Sequence, residues 1–520
     1  MTVLGHTRSE TLPVQGHGYT MPQRWSEAVL RVVKVAAAVV GVLTLSVCVA
    51  LAPTLTLLAL GLVAVAVLAL RAPPFAIVGV IFLFGLEGTI KVRLGEEIPD
   101  LPVSGLALGA ATIDLALVIA FFGLLRVDRG TSLALIWRNM GRPARVAIVL
   151  LAGWIALSVL QIPVSGNVST GVSGFRLTQA YVVLAVVGGA MLARRWSERV
   201  LLTLLAAIFV ISSYAAFRAI EGPSPSERVA AFSHQTTANV PAGDGVLFRN
   251  VGSFSGAVGL VSYLTPAAVF LFALGLLVPR HRLVAWLATA LALVAVVGAH
   301  VRASLVVAAL CLVATGAVVV LSSSLARRTK IVLAAVSIPV FISLVVVGAF
   351  AASLVSSSSP ELQERSAGVL NPLADESMQL RFETWRQSFE VAKANPLGTG
   401  LGTVGRATEI EGASATVTDS SYVKALREQG VPGALLFTFG VLATWAAIAV
   451  GIARIGVRLR PIGLAALAGS GSFLLLASDS EAVEQPGKVL TWMFLGIGLW
   501  ELYGRPESGE RMDEDMPRVF

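Results

Sequence analysis

The chain has 520 residues, of which 56% are hydrophobic and 13% charged, with a mean hydropathy of +0.80. A soluble domain carries about 25% charged residues. The composition therefore excludes a string of soluble domains and points to an all-α, polytopic integral membrane helix bundle. The net charge of +8 does not indicate a nucleic-acid partner, because the arginines and lysines cluster in short runs between apolar segments, where they set orientation. Cys48 and Cys311 both lie in apolar runs, and the five histidines have no ligand spacing, so neither a metal site nor a cofactor is expected.

A span needs about 20 apolar residues. In chain order the candidates are 32–52, 54–70, 74–90, 103–125, 144–162, 176–193, 200–219, 255–278, 282–299, 302–321, 331–355, 432–453, 461–478 and 488–503. The second, third and last are short, which gives about 12–14 transmembrane helices. The first run has no small-residue cleavage site after it and reads as an uncleaved span. The expected order is a disordered cytoplasmic N-terminus (1–28), helices over 29–219, an outer loop (220–254), helices over 255–355, a long extracytoplasmic loop containing short helices (356–431), helices over 432–503, and a disordered cytoplasmic tail (504–520).

Charge sets the orientation. With the N-terminus inside, 24 of the 39 Lys and Arg residues fall on the inner side. Seven of the rest lie in the single loop 356–431, and eight are spread over the other outer segments. The bias is the one the positive-inside rule requires, with both termini cytoplasmic. The inner loops are short and basic and hold no P-loop, so no nucleotide partner is expected there.

The polar loops carry the chemistry-bearing residues. Phe382, Trp385, Phe389 and Ala392 recur at helical spacing over 378–395, and Asn395-Pro396 ends the helix. This helix either packs on the bundle or lies at the lipid headgroups beside a lipid-substrate site. Gly398, Gly400, Gly402 and Gly405 contain a formal GxGxxG, but a helix and a proline precede it, so a tight turn replaces the dinucleotide reading. Asp419 and Ser420 both suit the N-cap of the helix that Gly430 ends. Arg249 and Arg302 stand at the outer boundary, where an arginine either snorkels or binds an anionic headgroup. Glu87 and Asp114 fall within apolar runs and could neutralise an arginine or relay protons; His300 stands at a helix end.

At these residues the sequence resembles the O-antigen ligase and O-antigen polymerase family of bacterial membrane glycosyltransferases. Three segments carry the resemblance. Arg249-Asn-Val-Gly252-Ser-Phe254 looks like the family's R-x-x-G-x-F segment, and Arg302-Ala-Ser304 like its small-residue-flanked arginine. The third runs from Trp385 through Pro396-Leu-Gly398-x-Gly400-x-Gly402 to Asp419-Ser420, nine residues and Gly430-Val-Pro-Gly433. Two positions depart from the ligase pattern. Asp419-Ser420 stands where ligases have His-Asn or a close variant, and Gly256-Ala257-Val258 replaces a usual Pro-Asn. The acidic residue is more at home among polymerase-like members.

The resemblance implies an inverting, metal-independent transfer of a glycan from polyprenyl pyrophosphate to an acceptor hydroxyl on the outer face of the bacterial plasma membrane. The expected partners are the lipid-linked glycan, membrane lipid, and a glycan or lipid acceptor. Arg249 and Arg302 would hold the diphosphate through bidentate hydrogen bonds. Each pairing is worth roughly 4 kcal/mol before desolvation at about 4 Å and an effective dielectric near 20. Asp419 would be the general base, and Trp385, Gly400, Gly402, Ser420 and Tyr422 would line the substrate site. The alternative is a lipid or polysaccharide flippase working through Glu87 and Asp114. A cysteine introduced near Gly412 should react with an impermeant reagent in intact cells whose outer surface is accessible, and one near Arg328 should not; the reverse pattern would put the long loop on the wrong face.

Overall fold

A computed structural model describes residues 52–97, 105–222, 224, 239–242, 245–254, 256–322, 376–405, 407–408, 418–455, 460–480 and 488–504. The chain falls into two compact units, Met1–Leu57 and Leu58–Phe520, and only the start of one helix is described in the first. The expected spans 32–52 and 331–355, both tails, and most of the two long loops lie outside the described residues.

The described chain is an α-helical bundle. Its helices are α1 (Pro53–Arg71), α2 (Pro73–Gly85), α3 (Glu87–Glu97), α4 (Gly105–Asp128), α5 (Thr131–Asn139), α6 (Arg142–Gln161), α7 (Val168–Phe175), α8 (Tyr181–Arg194), α9 (Glu198–Glu221), α10 (Ala257–Leu277), α11 (Arg282–Gly298), α12 (Arg302–Ser322), α13 (Glu376–Ala394), α14 (Ser421–Ile455), α15 (Pro461–Asp479) and α16 (Lys488–Leu499). A π turn, Arg176–Ala180, joins α7 to α8, and another, Trp500–Gly504, follows α16. The expectation of an all-helical fold needs one addition. A short antiparallel hairpin in the loop before α10 pairs Asn239 with Phe248 and Ala242 with Gly245.

Among the described residues, ten helical segments are long and apolar enough to cross a membrane, or eleven if α2 and α3 together form one bent span. The expected single span 74–90 is broken: α2 and α3 meet at 62°. Ser253 occupies the break. Its carbonyl accepts from the amides of Gly88 (2.8 Å) and Thr89 (3.1 Å), and its hydroxyl donates to the Gly85 carbonyl. Backbone groups freed at the bend are thereby satisfied inside protein, the condition for non-helical chain at membrane depth.

α10 is the centre of the bundle, with 83% of its span buried against 28% for α6. It is apolar on every side, as a helix without a solvent face should be, and Phe270 stacks on Phe494 of α16 at 4.4 Å. Glycine sets the closest crossing. A Cβ at Gly496 would fall on the Val186 carbonyl, and one at Gly189 on the Met493 carbonyl. Small residues are what let membrane helices approach backbone to backbone, where packing rather than water drives association.

Polar contacts link helix ends in the two sets that the charge pattern separates. In the set assigned inside, Arg194 pairs with Asp128 at 3.0 Å, Arg280 with Glu198 at 2.7 Å, and Asn139 donates to the Tyr503 carbonyl at 2.8 Å. In the set assigned outside, Gln161 donates to the Leu397 carbonyl, Asn250 to Ala215 and Ala295, and the Ser421 amide to Ser480. Gly496→Val should force α8 and α16 apart and cost on the order of 1–3 kcal/mol. Thermal unfolding of the detergent-solubilised protein should show the lowered midpoint, while Ala at exposed Val450 should leave it unchanged.

Candidate functional site

The segment around Asp419 is clamped by α13. Ser388 and Ala392 bury one side of that helix, while Phe382 and Phe389 stay exposed. Trp385 donates its indole N–H to the Thr418 carbonyl at 3.0 Å, and one turn earlier Arg381 lies 3.8 Å from the Asp419 carboxylate. The two side chains sit at i and i+4, so one helix face grips two successive residues.

Asp419 does not cap α14. Ser420 does: its hydroxyl accepts from the Val423 amide at 3.4 Å, its carbonyl accepts from Lys424, and its side chain is 2% exposed. Asp419 precedes it with φ +48°, a left-handed conformation that aspartate tolerates better than most residues. Its carboxylate is 44% exposed. The cap and the exposed acid are thus two neighbouring residues with separate tasks.

The glycine-rich loop docks by backbone contact. Gly398, Gly400, Gly402 and Gly405 all have positive φ, which glycine adopts without a Cβ penalty. A Cβ at Gly400 would strike the backbone of Val164 and Ser165, one at Gly402 the Thr170 carbonyl, and one at Gly398 the Glu428 carbonyl. Thr399 and Gly400 donate to the carbonyls of Arg427 and Glu428 at 3.1 and 2.9 Å, and Val431 donates to Pro396 at 3.0 Å. Gly430, with φ +67°, breaks α14 where this loop lands. The expected helix end at Gly430 and the Gly-Val-Pro-Gly run therefore form a receptor for the loop.

A buried ion pair locks that dock. Lys424 and Glu428, 2% and 3% exposed, are 2.8 Å apart. Lys424 also donates to the Val404 carbonyl, and Glu428 accepts from the Val404 amide at 3.4 Å. Gln429 continues the seal into the bundle, accepting from the Trp154 indole at 2.6 Å and donating to Ser158 at 2.9 Å. Sequence reasoning passed over Arg381, Lys424, Glu428 and Gln429. The i,i+4 charge spacing of Lys424 and Glu428 was a signal, and the apolar Val423 and Ala425 beside Lys424 placed it on a buried face.

The second segment presents Arg249. Asn250 is 8% exposed, bonds the ends of α9 and α11, and accepts from the Gly252 amide at 2.9 Å. Gly252 has φ +52° and sits where a Cβ would meet Ala215 at 3.0 Å. Ser253 caps α3, and Phe254 packs on Tyr263 at 5.3 Å. Four residues of the segment thus build the support, and Arg249 is its charged member. The Asn250 amide bonds the Gly298 carbonyl at 3.0 Å, which brings Arg249 to the α11–α12 turn. There His300 has φ +51°, and α12 begins at Arg302. Burial and the positive charge of Arg249 both hold the His300 imidazole below its ordinary pKa, so it is neutral at neutral pH.

The expected residues therefore divide. The Arg249 segment meets the α11–α12 turn through Asn250, and α12 begins there at Arg302. Asp419 has Arg381 as its ion partner among the described residues. Ser420 and Tyr422 are engaged within the protein: the Tyr422 hydroxyl donates to the Leu474 carbonyl at 3.1 Å, and its ring lies 5.5 Å from Phe437. Gly400 and Gly402 are buried against backbone. Glu87 is ion-paired to Lys91 and Asp114 to Arg176 (3.3 Å), with the Tyr181 hydroxyl also donating to Asp114. Fixed cation partners suit neutralisation across the bundle better than a moving proton.

Residues 267–438, a third of the chain, match the family model Wzy_C, described as O-antigen ligase. The match spans Arg302, Trp385, the glycine loop, Asp419 and the Gly430 break, and stops short of Arg249. No curated protein matches the chain.

Lys424→Met removes the cation from beside a buried carboxylate and should cost about 3–5 kcal/mol, whereas Lys424→Met with Glu428→Leu should recover most of the loss. Thermal unfolding of the single and double variants measures the difference. Additive losses would show that the two side chains stabilise the dock independently.

Proposed function

From an O-antigen ligase-type domain over residues 267–438, set in a multi-pass helix bundle, we infer that this membrane glycan-transfer enzyme uses a polyprenyl-pyrophosphate-linked glycan as donor and delivers it to an acceptor hydroxyl at the outer face of the plasma membrane. The observation that carries this reading is Asp419. It is an exposed carboxylate, held in a left-handed conformation, beside a serine that has taken over the capping task.

The donor end of the site is the turn shared by Arg249 and Arg302. Two guanidinium groups and the N-terminus of α12 provide positive charge for a diphosphate. Pyrophosphate is already a good leaving group, so this end has one task, which is to stabilise the negative charge that develops as the glycosidic C–O bond breaks. His300, being neutral, adds no third positive charge there.

The acceptor end is Asp419. Its carboxylate accepts the proton of the attacking hydroxyl as the new bond forms at the anomeric carbon, on the side opposite the leaving diphosphate. A single displacement inverts that carbon. The Arg381 pair at 3.8 Å is partly exposed, and such pairs are worth about 0–1 kcal/mol, so Arg381 orients the carboxylate without sequestering it. Trp385 positions the same segment through Thr418. Gly400, Gly402, Ser420 and Tyr422 shape this end from behind. The exposed Phe382 and Phe389 give α13 an apolar edge suited to the headgroup boundary, beside a polyprenyl chain.

Glycan transfer from a lipid-linked donor in membranes tests the assignment. Asp419→Asn keeps shape and backbone preference but removes the proton acceptor, and should lower turnover by about 10²–10⁴ with protein level preserved. Asp419→His should retain part of the activity, since imidazole also accepts a proton. Arg249→Lys and Arg302→Lys should each fail to restore full activity, because a point charge replaces a planar fork. Wild-type transfer by the Asn variant would move the base to neutral His300.

A further inference from the structure

A second arrangement of charged groups lies on the same set of helix ends. Asp114 is the tenth residue of α4, about 13 Å along the helix at 1.5 Å per residue. Its carboxylate takes the Tyr181 hydroxyl on one oxygen and stands 3.3 Å from the Arg176 Nε on the other. Lys488 sits 4.3 Å above the Tyr181 ring and donates to the Leu177 carbonyl. Lys488, Glu87 and Lys91 are all within electrostatic reach of Asp114. Ionisable groups at this depth in a span are costly and mark function by default.

Arg176 is the member open to a ligand. Its side chain is 41% exposed, against 20% for Asp114. Asp114 approaches its Nε at 3.3 Å without closing a hydrogen bond there, and the guanidinium makes no hydrogen bond to another described residue. Arg176 also opens the π turn between α7 and α8, and such turns recur at functional sites. Two residues earlier, a Cβ at Gly174 would strike the backbone of Leu401 and Gly402, so the turn that carries Arg176 adjoins the glycine loop. A half-exposed guanidinium held near a carboxylate by charge, with its fork not used within the protein, can turn to a planar or tetrahedral oxyanion.

We propose that Arg176, held from behind by Asp114 and Tyr181, is a second oxyanion-binding residue that takes a phosphate or carboxylate group beside the 398–405 loop. Lys488 keeps a positive charge near Asp114 when Arg176 turns towards its ligand. The inference rests on the glycan-transfer reading only for the source of the anion, either a lipid phosphate or an acidic sugar. Binding is measured without transfer, so failure of one does not imply failure of the other.

The test uses the full chain, carrying Arg249→Gln and Arg302→Gln, in neutral-lipid nanodiscs, so that both guanidinium groups of the proposed donor end are removed. Inorganic pyrophosphate and glucuronate are titrated separately by calorimetry. At least one should bind, and adding Arg176→Gln should weaken that probe by about tenfold or more, the loss of a charge-assisted fork. Loss of pyrophosphate binding points to a lipid phosphate; loss of glucuronate binding points to an acidic sugar. Arg176→Lys keeps the charge beside Asp114 and should also bind more weakly, and it decides the matter if the Gln variant does not fold. No binding of either probe before Arg176 is changed, or equal affinity after it, would overturn the proposal and leave Arg176 as a brace for Asp114.

Discussion

The geometry of the chain around Asp419 depends on the docking of the 398–405 loop on the broken start of α14. The dock is backbone against backbone: Gly398 lies on Glu428 and Gly430, and Gly400 and Gly402 lie on residues 164–170. Contact at that range admits no side chain, which explains why glycine recurs at alternate positions of the loop. The buried Lys424–Glu428 pair then closes both hydrogen-bonding groups of Val404. A buried pair of this kind is poor evidence for net stability, since desolvation offsets its attraction. Its effect is one of register, because only one placement of the loop satisfies both charges and the Val404 amide.

That register matters because Lys424 belongs to the same first turns of α14 that begin at Ser420. The loop, the helix start and Asp419 therefore form one rigid assembly, gripped from the other side by Trp385 and Arg381 of α13. The general-base role proposed for Asp419 needs placement to within about 0.5 Å, and a loop hanging from a membrane span would not supply it. Here α6 also contributes through Trp154, Ser158 and Gln161, so the assembly is tied into the bundle.

The arginine segment follows the same logic with different residues. Asn250, Gly252, Ser253 and Phe254 are each spent on the scaffold, and Ser253 does so by bonding the backbone at the bend between α2 and α3. Bending a span frees backbone groups that lipid cannot satisfy, so the bend exists only where Ser253 meets them. The arginine at the head of the segment is thereby fixed to the turn between α11 and α12.

Sequence alone determined the class, the helix positions and the chemistry-bearing loops. Apolar length locates spans because lipid cannot pair with backbone: the expected spans within the described residues are helical, with 74–90 bent into two helices, and the amphipathic helix expected over 378–395 is α13. The resemblance at Trp385, the glycines and Asp419-Ser420 was legible because those residue types are rare between apolar runs. Other features needed the tertiary structure. Both Asp419 and Ser420 can cap a helix, and only the backbone at φ +48° separates acid from cap. The glycines could have faced a substrate or a neighbouring chain, and only the position of residues 164–170 shows that the neighbour is there. Arg381, Gln429 and the Asp114–Arg176 pair depend on partners 38, 275 and 62 positions away. Local periodicity carries no information at that range, because such contacts are set by how whole helices pack.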